Sequence, residues 1–363
     1  MRKKIAWITA DYFIDVDLPI VPLLMDDYEI EWYVLQGNDG KITIPQAAHN
    51  CAMHICKMPY RRRNPRCIGF YADIARRIKA FSPDIIYIDA MEMPYMYPVL
   101  DFYLPRRKMV HAAHNVVSYP GWPNRRMMQL YLKYVFAFHR NMHIFSQHTR
   151  RQFEAMYGGK NILTTPLSLK DYGKPSPEAQ LPTDKVQLLF FGNVKQNKRL
   201  DILLKAYARL SDDLRARSHL SVLGSCEDKH LYEDDIKQLG NSVTFNPQRI
   251  PDEDIPDIFA THHYLVLPYE IVAQSGPHMV AYNYGMPVIA TDIEGFSEHV
   301  TDGVDGYLFA VNDVDALAHL LERVIKNKDV EYDALRDNLH RTIKTRYAQD
   351  VLLSEYQRFF ETI

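Results

Sequence analysis

The chain has 363 residues, 47% of them hydrophobic and 24% charged, with a formal net charge of −2, which excludes a mainly disordered protein. Because one hydrophobic core rarely organises a chain of this length, we expect two domains. No window of about 18 uncharged apolar residues occurs, so the sequence predicts neither a membrane-spanning helix nor a visible secretory signal.

The first half of the chain alternates short apolar segments with helical patterns. Segments rich in Ile, Val and Tyr predict buried strands at 4–10, 30–36, 84–90 and 108–114. Between two of them, apolar residues from Phe70 to Phe81 recur at helical spacing until Pro83 ends the pattern. This alternation predicts a parallel sheet covered by helices on both faces.

A segment without apolar periodicity, 169–185, separates this half from a second alternating series. It contains four Pro or Gly residues, which predicts a linker. We therefore predict an α/β protein with two Rossmann-like domains that face a central cleft. The predicted parts are an N-terminal domain at 1–172, a linker at 173–185, a C-terminal domain at 186–345, and a helix at 346–363 that crosses back to the first domain.

Two predicted loops in the second half of the chain contain residues suited to binding phosphate. Gly192 directly follows a predicted strand and Lys198 precedes the next helix, a position where backbone and ammonium groups approach a ligand. Farther along, Ser275 fits a helix N-cap and its neighbour Gly276 offers a free amide, while Gly285 fits the helix end. Each pattern alone is also consistent with an ordinary turn. Together they favour a pyrophosphate ligand.

The segments FFGNVKQNKRLDILLKAYARL and LPYEIVAQSGPHMVAYNYGMPVIATDIEG, with DGVDGYLF after them, resemble the donor-binding domain of retaining family 4 glycosyltransferases of the GT-B fold, or glycosyl transferases group 1. The resemblance covers most of 186–325 and is looser in the first half. It implies that the C-terminal domain, 186–345, binds the donor and that the N-terminal domain, 1–172, binds the acceptor. It implies an enzyme that transfers a sugar, with retention, from a nucleotide diphosphate-sugar to a saccharide or lipid-linked saccharide acceptor in cell-surface glycan biosynthesis. It also implies that no cofactor or metal is required.

The resemblance also implies roles for single residues. The implied donor-binding residues are Gly192, Asn193, Gln274, Ser275 and Gly276. Lys198 matches a cationic contact to the donor diphosphate and is a candidate catalytic residue, whereas Asn193 stands where the family usually has Arg. Family members commonly carry two glutamates where this chain has Val272 and Val280, so the ribose must be held by other groups. Glu270 is a candidate catalytic acid if its loop is displaced, or else a solvated loop acid.

In the first half, His114 resembles the His of the family's His-Asp motif, with Asn115 in place of Asp. This likeness implies a catalytic imidazole that donates a hydrogen bond near the transferred sugar. A capping or core His is the alternative, and His111 on the same strand is interpreted as structural. The segment TADYFIDVDLP, 9–19, lacks the family's glycine-rich loop, and we favour helix capping over acceptor binding for its three aspartates.

The distribution of charge and cysteine bears on partners and location. Residues 1–180 hold 24 Lys and Arg against 16 Asp and Glu, a net charge of +8, whereas the remainder holds 19 against 29, a net charge of −10. Basic runs at 61–66, 76–79 and 106–108 are consistent with a solvated face or, as we favour, an anionic membrane surface or lipid-linked acceptor. No nucleic-acid motif accompanies them. Four cysteines without zinc-site spacing indicate a reducing compartment, so a cytoplasmic protein, peripheral on the inner face of the membrane, is expected.

Three other functions compete with sugar transfer. The missing Arg and the two valines are consistent with a nucleotide-sugar-binding GT-B protein that lacks transfer activity. A GT-B sugar-nucleotide epimerase is the second alternative, although the order of the motifs favours transfer. A nicotinamide-dependent dehydrogenase is disfavoured because no G-x-G-x-x-G sequence follows a predicted strand.

Overall fold

The computed structural model describes residues 2–38, 52–117 and 125–363. The chain forms two compact units, which we call the first unit (1–168 with 348–363) and the second unit (169–347). Each unit is an α/β structure built on a parallel sheet. The α/β class and the two-sheet architecture predicted from the sequence are confirmed.

The sheet of the first unit has seven parallel strands. They are β1 (Lys4–Ala10), β2 (Glu29–Gln36), β3 (Met53–Lys57), β4 (Ile85–Asp89), β5 (Met109–Ala113), β6 (Asn141–Ile144) and β7 (Asn161–Thr164). Their order is β3-β2-β1-β4-β5-β6-β7, so the direction of strand addition reverses between β1 and β4. The carboxyl ends of β1 and β4 therefore flank a crevice of the kind in which α/β proteins bind ligands.

The sheet of the second unit has six parallel strands. They are β8 (Val186–Phe191), β9 (Ser218–Leu223), β10 (Val243–Asn246), β11 (Tyr264–Leu267), β12 (Val288–Thr291) and β13 (Tyr307–Phe309). Their order is β10-β9-β8-β11-β12-β13, so the reversal lies between β8 and β11. The strands are short and largely buried, because helices cover both faces of a parallel sheet.

The helices alternate with these strands along the chain. In the first unit they are α1 (Ile14–Asp17), α2 (Val21–Leu24), α3 (Cys67–Phe81), α4 (Met96–Tyr103), α5 (Arg125–Phe138) and α6 (Gln147–Tyr157). In the second unit they are α7 (Leu200–Ala208), α8 (Asp212–Ala216), α9 (Glu233–Leu239), α10 (Ile255–Ala260), α11 (Gly276–Asn283), α12 (Glu294–Ser297), α13 (Val314–Lys326) and α14 (Lys328–Arg346). The last helix, α15 (Gln349–Glu361), belongs again to the first unit.

Helix α15 completes the hydrophobic core of the first unit. The rings of Tyr356 and Phe360 lie 6.1 and 6.4 Å from the ring of Trp7, which is fully buried in β1. Lys3 Nζ also donates a hydrogen bond of 2.8 Å to the Phe360 carbonyl oxygen. The helix predicted to cross back to the first domain is therefore present, over 349–361.

The segment predicted as a linker has neither helix nor strand but is bonded to the second unit. The Ser176 amide and hydroxyl donate hydrogen bonds of 2.6 and 2.8 Å to the Asp257 carboxylate. The Tyr172 amide donates to the Tyr284 hydroxyl oxygen at 3.1 Å. Residues 169–185 therefore pack as a part of the second unit.

Candidate functional site

The main candidate site lies in the second unit, where β8 and β11 end side by side. This position is the point at which the order of strands reverses, and two loops meet there. The first loop runs from Gly192 to Arg199 and leads into α7, and the second runs from Pro268 to Ser275 and leads into α11. Both sequence elements predicted to face a pyrophosphate are therefore adjacent in space.

Gly192 and Gly224 allow the first loop to lie close to the loop after β9. Gly192 has a φ of +101° and Gly224 a φ of +138°, conformations that side chains rarely adopt. A Cβ atom on Gly224 would lie only 2.2 Å from the Gly192 carbonyl oxygen. The Gly192 amide also donates to the Leu223 carbonyl oxygen at 2.9 Å, so the backbone after β8 is fixed in position.

The rest of the first loop is bonded to the second. Glu270 donates its amide to the Asn197 carbonyl oxygen at 2.9 Å, and the Asn197 side-chain amide donates to the Ile271 carbonyl oxygen at 3.3 Å. Arg199, with a φ of +47°, places its guanidinium 3.6 Å from the Glu270 carboxylate. The same guanidinium binds Asp201, and this hydrogen bond lowers the pKa of the Asp201 carboxyl. Glu270 therefore joins the two loops through Arg199, with its side chain about half exposed.

The second loop ends in the predicted N-cap of α11. Ser275 Oγ accepts a hydrogen bond of 3.4 Å from the His278 amide, and Gly285 has a φ of +63° just beyond the helix end. Pro277 in the first turn has no N–H group, so the Gly276 amide is the donor at the first helical position. The helix and its N-cap agree with the sequence prediction. The amide of Gly276 and the positive end of the helix dipole favour an anion here.

Two lysine ammonium groups approach this helix end. A Cβ atom on Gly192 would lie 3.4 Å from Lys198 Nζ and 3.2 Å from Pro277 Cγ, so the ammonium group lies between the first loop and α11. Lys198 Nζ also lies 5.1 Å from the centre of the Tyr269 ring. The ammonium group of Lys170 also lies near this helix end, because a Cβ atom on Gly276 would lie 3.3 Å from its Nζ. Lys170 is not among the site residues predicted from the sequence.

Buried polar atoms without a partner surround the same position. Gln274 Oε1 and Nε2 and the Tyr269 hydroxyl are buried and make no hydrogen bond with the described residues. Because leaving a buried polar group unpaired costs about 1–3 kcal/mol, such groups are usually satisfied by a ligand or by water. Asn193, in contrast, is exposed at the edge of the first loop. Gln274 is therefore the predicted donor-binding side chain with free hydrogen-bonding capacity.

The two valines lie in packed parts of the second unit. Val280 is buried in α11, with only 3% of its surface exposed. The Val272 carbonyl oxygen lies so close to α12 that a Cβ atom on Gly295 would approach it to 2.3 Å. Neither side chain offers a hydrogen bond, as expected from the sequence.

His114 lies at the carboxyl edge of the first unit's sheet. Its Nε2 atom is 2.8 Å from Asp89 Oδ1, and its ring is stacked between the rings of Phe13 and Phe145, with centres 3.9 and 4.4 Å away. Asp89 is fully buried, and burial raises the pKa of its carboxyl although the His114 imidazole opposes this shift. His114 is therefore held rigidly, with 12% of its side chain exposed. His111 on the same strand is fully buried and bonded to the Tyr97 hydroxyl, which agrees with its structural interpretation.

Capping by Asp11 and Asp17 was a wrong prediction. Asp17 Oδ2 accepts hydrogen bonds from Trp7 Nε1 at 3.0 Å and from Thr9 Oγ1 at 2.5 Å, both on β1. Asp11 accepts from the Gly37 amide at 2.7 Å and pairs with Arg62 at 2.8 Å. Neither α1 nor α2 has a side-chain cap, because these carboxylates are used by tertiary contacts instead.

Arg62 pairs both with Asp11 and with another buried acid, Glu92, which follows β4. Arg62 Nη1 lies 3.1 Å from Glu92 Oε1, and its guanidinium lies over the Tyr12 ring at 4.9 Å. Glu92 is fully buried, and burial raises the pKa of its carboxyl to about 7, although Arg62 acts in the opposite direction. The first unit therefore contains an acid that changes its charge near neutral pH.

The stability of the first unit should depend on the protonation of Glu92. Its folded-state pKa of about 7 lies above the ordinary value of 4.5, so its contribution is complete below pH 4.5 and is lost as the pH rises through 7. We expect the wild type to lose roughly 3 kcal/mol of unfolding free energy relative to Glu92→Gln between pH 4.5 and 8. Urea unfolding followed by tryptophan fluorescence would measure this, because all three tryptophans precede residue 169.

Glu154→Gln is the matched control for this experiment, since Glu154 is a half-exposed acid of the same unit. Its unfolding free energy should follow that of the wild type at every pH. Parallel curves for the wild type and Glu92→Gln would show that Glu92 does not titrate in this range.

The basic runs of the first unit are partly neutralised by its own acids. Arg62 belongs to the buried cluster just described, Arg77 pairs with Asp73 at 2.9 Å, and Arg106 pairs with Asp101 at 2.9 Å. The runs therefore present fewer unpaired charges than the sequence suggests. Within the described ranges, no helix is both long and apolar enough to cross a membrane.

Metal-ligating side chains do not cluster in the part of the chain that the structure describes. No group of three His, Cys, Asp or Glu residues there is placed to hold a metal ion. Cys56, Cys67 and Cys226 are free thiols, while Cys51 lies outside the described residues.

Comparisons with known proteins give matches in sequence and in fold. Residues 185–327 match the family model described as Glycosyl transferases group 1. The chain is 31% identical over 185 residues to O-antigen chain mannosyltransferase B of Escherichia coli, covering 46% of each chain. It is 25% identical over 181 residues to an uncharacterized glycosyltransferase of Methanocaldococcus jannaschii, covering 50% of this chain and 46% of that protein. The chain thus matches about half the length of these curated relatives.

The fold matches a solved structure over the whole chain. The crystal structure of Anabaena HepE in complex with UDP and glucose superimposes with a TM-score of 0.78 at 17% identity, covering 100% of both chains. At this identity the match shows the fold alone, which is the GT-B fold.

Proposed function

We propose that this protein is a glycosyltransferase, because its residues 185–327 match the model of Glycosyl transferases group 1 and its fold is GT-B. Its donor would be a nucleotide diphosphate-sugar bound by the second unit. The observation that carries this proposal is the placement of Lys198 Nζ beside Gly192 and the first turn of α11, where β8 and β11 end. The solved Anabaena relative is described in complex with UDP and glucose, which supports a donor of this class.

The proposed chemistry depends on the leaving group. When the bond between the sugar and the diphosphate breaks, negative charge increases on the diphosphate oxygens. The Lys198 ammonium and the Gly276 amide would stabilise this charge more in the transition state than in the ground state, which raises kcat. The half-exposed Lys170 ammonium, adjacent to Gly276, would add to the same field. Asn193 would leave one cationic contact of the family unfilled.

We propose that transfer proceeds with retention and by attack on the face that the diphosphate leaves. A covalent route needs an unpaired carboxylate beside the sugar, but Glu270 is paired with Arg199 and about half exposed. Gln274, whose buried amide atoms make no hydrogen bond with any described residue, would bind the donor sugar. His114, fixed by Asp89 and two phenylalanine rings, would donate a hydrogen bond near the transferred sugar.

The proposed acceptor is a saccharide or a lipid-linked saccharide in cell-surface glycan biosynthesis. The name of the Escherichia coli relative, O-antigen chain mannosyltransferase B, supports a glycan chain as the acceptor class. In the first unit, the side chains of Phe102 and Phe138 are 82% and 57% exposed, and the Arg106 guanidinium lies 5.2 Å from the Phe138 ring. Exposed aromatic and basic groups together favour anionic membrane surfaces, so we propose a cytoplasmic protein that is peripheral on the membrane.

A second candidate function is nucleotide-sugar binding without transfer. Val272 and Val280 favour it, because neither can bind a ribose or sugar hydroxyl where the resemblance implies glutamates. The two candidates share the diphosphate site and differ only in turnover. An epimerase of the same fold would instead convert its nucleotide-sugar without an acceptor.

A panel experiment separates these functions. We expect a nucleoside diphosphate among UDP, GDP and ADP to raise the melting temperature by mass action, and CMP, with a single phosphate, to have a smaller effect. The matching nucleotide-sugar should then be consumed only when a saccharide acceptor is added. Because Lys198 and Gly276 would provide the charge stabilisation, a chelator should leave the rate unchanged.

Three results would contradict a part of the proposal or favour one of the alternatives. The absence of a shift with every nucleoside diphosphate would contradict the donor site. Binding without turnover over a broad acceptor panel would favour the non-transferring protein. Loss of activity on chelation, restored by a divalent cation, would contradict metal-independent transfer.

A further inference from the structure

A basic cavity of about 910 Å³ lies in the first unit, at the amino ends of its strands. Lys3 and Lys108 directly precede β1 and β5, while Asn141 and Asn161 begin β6 and β7. This edge is opposite to the carboxyl edge where His114 lies. The cavity is therefore separate from the site to which the proposed transfer reaction is assigned in this unit.

The side chains that line the basic cavity are strongly cationic. Six lining residues carry a positive charge, namely Arg2, Lys3, Arg107, Lys108, Arg140 and Lys160. Asp84 is the acidic side chain among the lining residues, and its Oδ2 atom already accepts a hydrogen bond of 3.0 Å from the Lys4 amide. The excess of positive charge attracts an anion with more than one negative charge.

Three of these cations are positioned by the backbone. Lys108 Nζ donates to the Pro83 carbonyl oxygen at 2.7 Å, and Lys160 Nζ donates to the His139 carbonyl oxygen at 2.9 Å. Lys3 Nζ is held by the Phe360 carbonyl oxygen. An ammonium group has three N–H donors, so each lysine retains capacity for a ligand. Burial lowers the pKa of Lys160, a cost that an anionic partner would offset.

The three arginines provide the unpaired charges. Arg2, Arg107 and Arg140 are exposed at the cavity, and the ion pairs found among the described residues do not involve them. Guanidinium groups bind phosphate oxygens through two parallel hydrogen bonds, which fits them to phosphate better than to single-point anions. The cavity volume exceeds that of one phosphate group and falls within the range of small-molecule sites.

We propose that the basic cavity binds a ligand with two or more phosphate groups, at a site independent of the proposed donor site. Two sources provide this chemistry, a soluble polyphosphorylated compound and a phospholipid headgroup that carries two or more phosphates. The proposal does not depend on sugar transfer, since it rests on the six cations and the volume of the cavity.

Titration calorimetry with inorganic triphosphate at low salt would test the proposal, because screening is then weak. A Lys198→Ala background weakens any binding to the second unit. We expect Arg107→Gln/Arg140→Gln to weaken triphosphate binding by about tenfold or more, since it removes two charge-assisted contacts. Unchanged binding in this double variant would overturn the proposal.

Arg77→Gln/Arg151→Gln is the matched control, since both arginines are exposed on helices of the first unit outside the cavity. It removes the same net charge and should leave triphosphate binding unchanged. An equal loss in both double variants would overturn the proposal, because it would show a general effect of charge.

A second titration, in the presence of lipid vesicles, distinguishes the two sources of phosphate. Vesicles of phosphatidylcholine with cardiolipin, whose headgroup has two phosphates, are added before the triphosphate titration. Displacement of triphosphate would support the site and assign it to lipid headgroups. Undiminished triphosphate binding would support the site and assign it to a soluble ligand.

Discussion

Replacing Lys198 with Ala should lower kcat/KM for sugar transfer by about 100-fold or more, because one preorganised charge at a developing anion contributes on this scale. Lys198 Nζ lies where the loop after β8 meets the first turn of α11. The same substitution should remove most of the rise in melting temperature that a nucleoside diphosphate causes. Both effects are expected from the loss of the ammonium group at the proposed diphosphate site.

Lys195→Ala is the matched control for Lys198→Ala. Lys195 lies three residues earlier in the same loop, its side chain is exposed, and its contact with Lys198 is a backbone hydrogen bond that Ala preserves. We expect its transfer rate and its nucleotide-dependent melting shift to match those of the wild type. A full melting shift in Lys198→Ala would mean that the diphosphate binds elsewhere.

Replacing Gly224 with Ala should destabilise the second unit by roughly 3 kcal/mol, which combines a steric overlap with backbone strain. The added Cβ would lie 2.2 Å from the Gly192 carbonyl oxygen, and Gly224 has a φ of +138°. Backbone atoms must move to relieve this overlap, because no flexible side chain is involved. For a unit of this size we expect the melting temperature to fall by roughly 6–12 °C.

Gly303→Ala is the control that separates the effect of the steric overlap from the effect of backbone strain. Gly303 also has a positive φ, +70°, but a Cβ atom there would meet nothing within 4 Å. Its substitution should cost only about 1 kcal/mol, the typical cost of an Ala in this conformation. If the two variants melt at the same temperature, the close approach of Gly224 to Gly192 is not a source of stability. Calorimetric scans of both variants would measure the difference.

In the first unit, β1, β2, β4 and β5 were predictable from the sequence, whereas β3, β6 and β7 were not. β1, β4 and β5 are continuous apolar segments because helices bury both of their faces. β3 is an edge strand with exposed His54 and Ile55, so its sequence lacks such a segment. β6 and β7 are four residues long and begin with Asn141 and Asn161, which breaks their apolar pattern.

The candidate site was predictable where it depends on local sequence. The N-cap at Ser275 and the glycine at 192 follow from neighbouring residues, and both have the expected local geometry. Lys170 was missed because it lies about a hundred residues from α11 in sequence, in a segment that appeared to be a linker. The contacts of Asp11 and Asp17 were missed for the same reason, since helix capping is local whereas their partners are tertiary.

The return of α15 to the first unit has a consequence for folding during synthesis. The second unit, 169–347, is an insertion between the two parts of the first, and it is complete in sequence before its host is. Until Tyr356 and Phe360 leave the ribosome, one side of Trp7 lacks its aromatic neighbours. The second unit can therefore complete its core while the core of the first unit still lacks its last helix.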